Sequence, residues 1–89
     1  MHEAAVMRDL MRAIETVAQT EGAARVTAIR VRLGDLSHMT PAHFREHFEE
    51  ASRGTLAEGA RIEVVETDAA EERQAVRLES VDVELAEPD

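Results

Sequence analysis

These 89 residues include no cysteine, no lysine, no tryptophan and no tyrosine. Without cysteine there is no disulfide framework, no thiolate zinc site and no thiol nucleophile. Without lysine there is no amine nucleophile either, which leaves a few hydroxyls, none of them in a recognisable elbow beside a base. The four glycines, Gly22, Gly34, Gly54 and Gly59, are isolated, so no Gly-rich loop cradles a phosphate. Aromatic residues are confined to Phe44 and Phe48, so the core must be built from Leu, Val, Ile, Met and Ala. No apolar run approaches the roughly 20 residues of a membrane span, and the chain does not open on the hydrophobic stretch of a signal peptide. The composition therefore reads as a cytoplasmic, non-enzymatic domain with a small aliphatic core. A chain of this length buries only about 60 to 65% of its unfolded surface.

What the chain has in excess is acid. Ten arginines face nineteen carboxylates for a net charge of −9. The imbalance is uneven, with eight Arg against nine acids in residues 1–61, and two Arg against ten acids in residues 62–89. The two parts thus carry −1 and −8. Such a surface repels phosphate backbones and anionic lipid, so neither nucleic acid nor membrane is expected as a partner, whereas cations and basic proteins are.

Hydrophobic periodicity divides the chain into five elements. Val6, Met7, Leu10, Met11, Ile14, Val17 and Ala18 recur at spacings of three and four, which predicts an amphipathic helix over about residues 4–21 that stops at Gly22. In RVTAIRVRLGDL, Ile29, Val31 and Leu33 alternate with Arg30 and Arg32, as in a strand with one wet face. Val26 has the wrong parity, so either the strand starts near Ala28 or a bulge intervenes. SHMTPAHFREHFEEASRGT is a second helix, with Thr40 as N-cap, Pro41 at the first helical position, Gly54 after the last turn, and Phe44, Phe48 and Ala51 as its buried stripe. ARIEVVE and QAVRLESVDVEL read as strands. In the second of these, Val76 and Leu78 keep one parity and Val81 and Val83 the other, which places a bulge or twist near Glu79 and Ser80. The order of elements predicts an α+β fold, with two helices packed on one face of a three-stranded, mostly antiparallel sheet in a single domain over residues 1–89.

Two features carry metal-binding chemistry. His43 and His47 lie four apart on the second helix, with Glu46 and Glu50 near, and read either as a chelating pair or as a solvated flank beside the Phe stripe. His38, ahead of the N-cap, reads as a loop residue. The terminus Met1-His2-Glu3 is more particular. A large side chain at position two favours retention of the initiator methionine. The Met1 amine and the His2 amide nitrogen close a five-membered ring on a metal, and the His2 amide with its own Nδ1 closes a six-membered one. Three nitrogens then lie in one plane, and Glu3 or a donor from elsewhere can complete the set. Planar nitrogen sets suit Ni(II) or Cu(II) and not the tetrahedral preference of zinc. On spacing alone a histidine at position two is equally an accident of composition.

MHE followed by an amphipathic helix, and then VRLGDLSHMTPAHFREHFEEASRGTLAEGARIEV, resembles the HypA/HybF family of nickel-insertion accessory proteins for hydrogenase. The resemblance is carried by Gly34, Pro41, Phe44 with Phe48, Gly54-Thr55 and Glu58-Gly59-Ala60, and by the rhythm of the last strand, VRLESVDVE. It implies a metallochaperone that holds Ni(II) through Met1, His2 and Glu3 and works with a nickel enzyme precursor or a maturation GTPase. Members of the family carry a zinc domain with two CxxC-type pairs between the second strand and the last. This chain has TDAAEER at residues 67–73 instead, so no zinc is expected. The rival reading is a zinc-free interaction or assembly module that keeps the fold and no longer delivers nickel, its acidic C-terminal third docking a basic partner. An open strand edge offers pairing to a second copy, so a homodimer is compatible with either reading.

Overall fold

A computed structural model describes residues 3–34, 39–66 and 76–87. Its elements run α1 (Glu3–Glu21), β1 (Ala23–Leu33), α2 (Pro41–Ser52), β2 (Arg61–Glu66) and β3 (Val76–Leu85). The expected α+β architecture is present, with the strands in the order β2-β1-β3. β3 runs antiparallel to β1 along a ladder from Ala23↔Leu85 to Leu33↔Val76, and β2 runs parallel to it from Ala28↔Arg61 to Leu33↔Glu66. The sheet is therefore mixed. The parallel pair follows from α2 lying between β1 and β2 in the chain, since parallel neighbours need a crossover connection and a helix supplies it.

The helices take the positions their stripes dictate. Met7, Leu10, Met11, Ile14 and Ala18 are buried on α1, while Arg8, Asp9, Arg12, Glu15 and Gln19 remain exposed. Gly22 ends α1 at φ 68°, a left-handed conformation that a Cβ disfavours, and its N–H donates to the carbonyl of Gln19 at 3.2 Å. α2 starts as its punctuation predicts. Thr40 is extended at the N-cap, and its hydroxyl accepts from the His43 N–H at 3.1 Å. The buried stripe of α2 differs from the expectation in one residue. It runs Phe44, Phe48, Ser52, each four apart, and Ala51 is only partly buried. Ser52 is accommodated in the interior because its hydroxyl donates to the Glu49 carbonyl at 3.3 Å.

Both parity breaks in the strands are bulges. The ladder between β1 and β3 shifts between Val26 and Ala28, leaving Thr27 as the extra residue, and again between Arg30 and Val31, where Ser80 and Leu78 are the partners and Glu79 is extra. β1 accordingly begins at Ala23 and reaches past Val26. The bulges place Val26 opposite Val83, Ile29 opposite Val81, Val31 opposite Leu78 and Leu33 opposite Val76. On the other side Ile29 pairs with Ile62 and Val31 with Val64. These rows form the sheet's contribution to the core. At the first bulge the Val26 N–H turns to the Leu56 carbonyl at 2.8 Å, which ties the centre of the sheet to the connection after α2.

The opposite face of the sheet is a lattice of charge. Arg25 pairs with Glu84 at 3.1 Å, and Arg32 with Glu79 at 3.2 Å. Arg30 lies between Glu63 at 3.7 Å and Glu79 at 3.9 Å. Among the described residues no helix is long and apolar enough to cross a membrane.

Candidate metal centre

The donors expected at the terminus come immediately before and at the start of α1 in the chain. Met1 and His2 lie outside the described residues, and of Glu3 only the backbone is described. That backbone already belongs to α1, one residue ahead of the start that the apolar stripe predicts. An α-helix leaves its first four N–H groups without intrahelical acceptors. With Glu3 as the first helical residue, its amide is among those four. A metal that replaces the amide proton of residue 2 or 3 thus removes no hydrogen bond from the helical ladder. The helix is anchored one turn later, where Val6 packs against the core and Met7 is buried.

Macrodipole and sequence act in opposite directions here. A cation at the N-terminal end of α1 is opposed by roughly 0.3 to 1 kcal/mol at an exposed position. Ionised amide nitrogens carry negative charge into the same place, so a nickel site made from them meets the helix as a nearly neutral unit.

The histidines of α2 form a second arrangement. His43 and His47 stand with their Nε2 atoms 2.9 Å apart, ring centroids at 4.5 Å and planes inclined by 49°. His43 is exposed and His47 half-buried, beside Phe44 and Phe48, which are 0% and 1% exposed. Glu46 and Glu50 do not join them, and among the described residues no group of three His, Cys, Asp or Glu side chains converges as a metal site. His38 lies outside the described residues, as does the connection 67–73 that stands where a zinc domain is expected.

The structure also bears on the acidic C-terminal third. Glu63, Glu79 and Glu84, three of its ten acids, are engaged by Arg25, Arg30 and Arg32 across the open face of the sheet. The sequence signal for this lay in the alternation of Arg30 and Arg32 on β1, which puts both guanidiniums on the face opposite the core.

Comparison with known proteins gives a consistent result. Residues 1–72 match the family model described as HypA, hydrogenase/urease nickel incorporation, metallochaperone. A hydrogenase maturation factor HypA from Thermococcus kodakarensis is 44% identical over 69 residues, covering 78% of this chain and 50% of that protein. The one from Roseiflexus is 37% identical over 89 residues, covering 100% and 68%. In most of these matches the chain spans about half to three-fifths of the relative's length. Among solved structures, the Ni metallochaperone HypA from Helicobacter pylori superposes with a TM-score of 0.79 at 19% identity, over 97% of this chain and 100% of that one, a likeness of fold.

Proposed function

Because the chain belongs to the HypA family, we propose that it is a cytoplasmic nickel-binding accessory protein for the maturation of a nickel enzyme such as hydrogenase. It acts without catalysing a reaction of its own. Ni(II) is the cargo, held by the Met1 amine, the amide nitrogen and Nδ1 of His2, and a fourth donor from Glu3. The observation that carries this reading is the MHE terminus at the head of a stretch that matches the family over residues 1–72. A nickel-bound terminus is expected to leave Met1 to Glu3 outside the helix, whereas α1 begins at Glu3, so binding would unwind that first residue without breaking a hydrogen bond of the helical ladder.

Holding the ion at an N-terminal chelate suits transfer. Three of the donors come from two consecutive residues, so a partner can replace them one at a time without unfolding the core behind them. The chain has no cysteine, and the acidic connection at 67–73 takes the place of the family's zinc domain, so no thiolate competes for the cargo. A nickel enzyme precursor or a maturation GTPase is the partner. The reading as an interaction module is weakened by the charge lattice on the sheet. Three of the ten acids that would meet a basic partner, Glu63, Glu79 and Glu84, are already paired with arginines of β1.

Titration of nickel into the protein with an authentic terminus, followed by the absorption of planar Ni(II), tests the proposal. Wild type should take one equivalent into a planar site, and both His2→Ala and a protein with an acylated Met1 amine should fail to do so. Equal planar binding by all three would remove the basis of the assignment.

A further inference from the structure

The His43–His47 pair on α2 offers a second place for a metal, built from residues that the terminal chelate does not use. The Nε2···Nε2 separation of 2.9 Å is the distance of an N–H···N hydrogen bond between two imidazoles, one in each tautomer. It is also the edge of a coordination polygon. With metal–nitrogen bonds of about 2.0–2.1 Å, two nitrogens 2.9 Å apart subtend about 90° at the metal, whereas a tetrahedral angle needs roughly 3.3–3.4 Å. The pair is therefore cut to the cis edge of a square or an octahedron. That is the geometry of Cu(II) and Ni(II) with nitrogen ligands.

The backbone that carries the pair is held by the fold. Each histidine immediately precedes a phenylalanine of the core, His43 before Phe44 and His47 before Phe48. The backbone at both positions is thus fixed by side chains that are 0% and 1% exposed. The first turn of α2 is secured by the Thr40 hydroxyl bonded to the N–H of His43 itself. The backbone beneath the pair is ordered by packing, so a metal has only the two side-chain rotamers to fix.

We propose that His43 and His47 bind a divalent transition metal with right-angled coordination, Cu(II) or Ni(II), through their two Nε2 atoms. The ion takes the place of the proton held between the two Nε2 atoms; that proton passes through solvent to the bare Nδ1 of the ring that donated it, so both rings bind as the Nδ1–H tautomer. Among the described residues no third His, Cys, Asp or Glu converges on the pair. The other coordination positions fall to water or to donors from outside the described residues. This site stands independently of the terminal chelate.

The test uses the full chain with its terminus acetylated, which removes the Met1 amine and with it the terminal site, and Cu(II) as the probe. Electron paramagnetic resonance should show one bound Cu(II) with superhyperfine coupling to two imidazole nitrogens. His43→Ala should reduce the coupling to one nitrogen and weaken binding at least tenfold, and His43→Ala/His47→Ala should abolish the signal. Circular dichroism verifies that the variants keep their helices. Should a variant lose its fold, the two-nitrogen coupling in the acetylated wild type decides alone. A spectrum without two-imidazole coupling in that protein, or one unchanged in the folded double variant, overturns the proposal. Neither result touches the terminal site, which is blocked throughout.

Discussion

Deleting Glu79 should cost little more than mutating it, because Glu79 is an extra residue in the ladder between β1 and β3. While it is present, a bulge is needed for Val76 and Leu78 on one side and Val81 and Val83 on the other to face the same core. Without it, Val76, Leu78, Val81 and Val83 fall on one parity, and each keeps its partner on β1 with no bulge. Full burial of a Val or Leu side chain is worth about 1.5 to 3 kcal/mol, and these are partly buried, so turning one pair to the charged face would cost roughly 2 kcal/mol, a cost that the deletion avoids. Deletion and Glu79→Ala both lose the contacts to Arg32 and Arg30, half in solvent, at most about 1 kcal/mol. For a domain of this size each kcal/mol shifts the melting temperature by about 4–8 °C. Both variants should therefore melt within about 8 °C of the wild type, as followed by circular dichroism. A drop of roughly 10–20 °C on deletion, with Glu79→Ala staying under about 8 °C, would show that a pair has left the core and that Glu79 is not the residue the bulge accommodates.

Two other perturbations follow from the same structure. Thr40→Ala removes the hydroxyl that accepts from the His43 N–H and should cost about 1 kcal/mol, a drop of about 4–8 °C in melting temperature, while Thr40→Ser should recover most of it; no loss in the alanine variant would contradict the capping role. Nickel at the terminus should be released on acidification, because the amine, the imidazole and the amide nitrogens must all be free of protons to bind it; occupancy measured from pH 8 down to pH 5 should fall throughout, and constant occupancy would point to carboxylate ligands instead.

Much of this fold is written locally. The capping of α2 by Thr40 and Pro41 involves residues within a turn of one another, and the alternation of Ile29, Val31 and Leu33 with Arg30 and Arg32 assigns both faces of β1 without knowledge of its neighbours. Even the bulges are visible as parity breaks, at Val26 and between Leu78 and Val81, because a strand with one buried face tolerates no slip. Pairing is different. The alternation in RIEVVE states that it is a strand and is silent on which way it runs, a direction that depends on α2 crossing the sheet between β1 and β2. The burial of Ser52 in place of Ala51 is set by where the last turn of α2 meets its surroundings, which periodicity resolves only to within a residue. The 2.9 Å approach of the two imidazoles is a matter of rotamers. Spacing puts His43 and His47 on one face but does not specify that their nitrogens meet. For the terminal site the order is reversed. The donors proposed there are adjacent in sequence, so that proposal rests on three letters, and α1 adds only that the helix begins at Glu3.

X-ray absorption at the nickel edge, on protein loaded with one equivalent in a His43→Ala/His47→Ala background, tests the terminal site most directly. A four-coordinate planar spectrum with nitrogen ligands, including one imidazole, is the predicted result, and it should be lost in the same protein carrying His2→Ala. A six-coordinate spectrum that His2→Ala leaves unchanged would contradict the assignment of nickel to Met1, His2 and Glu3.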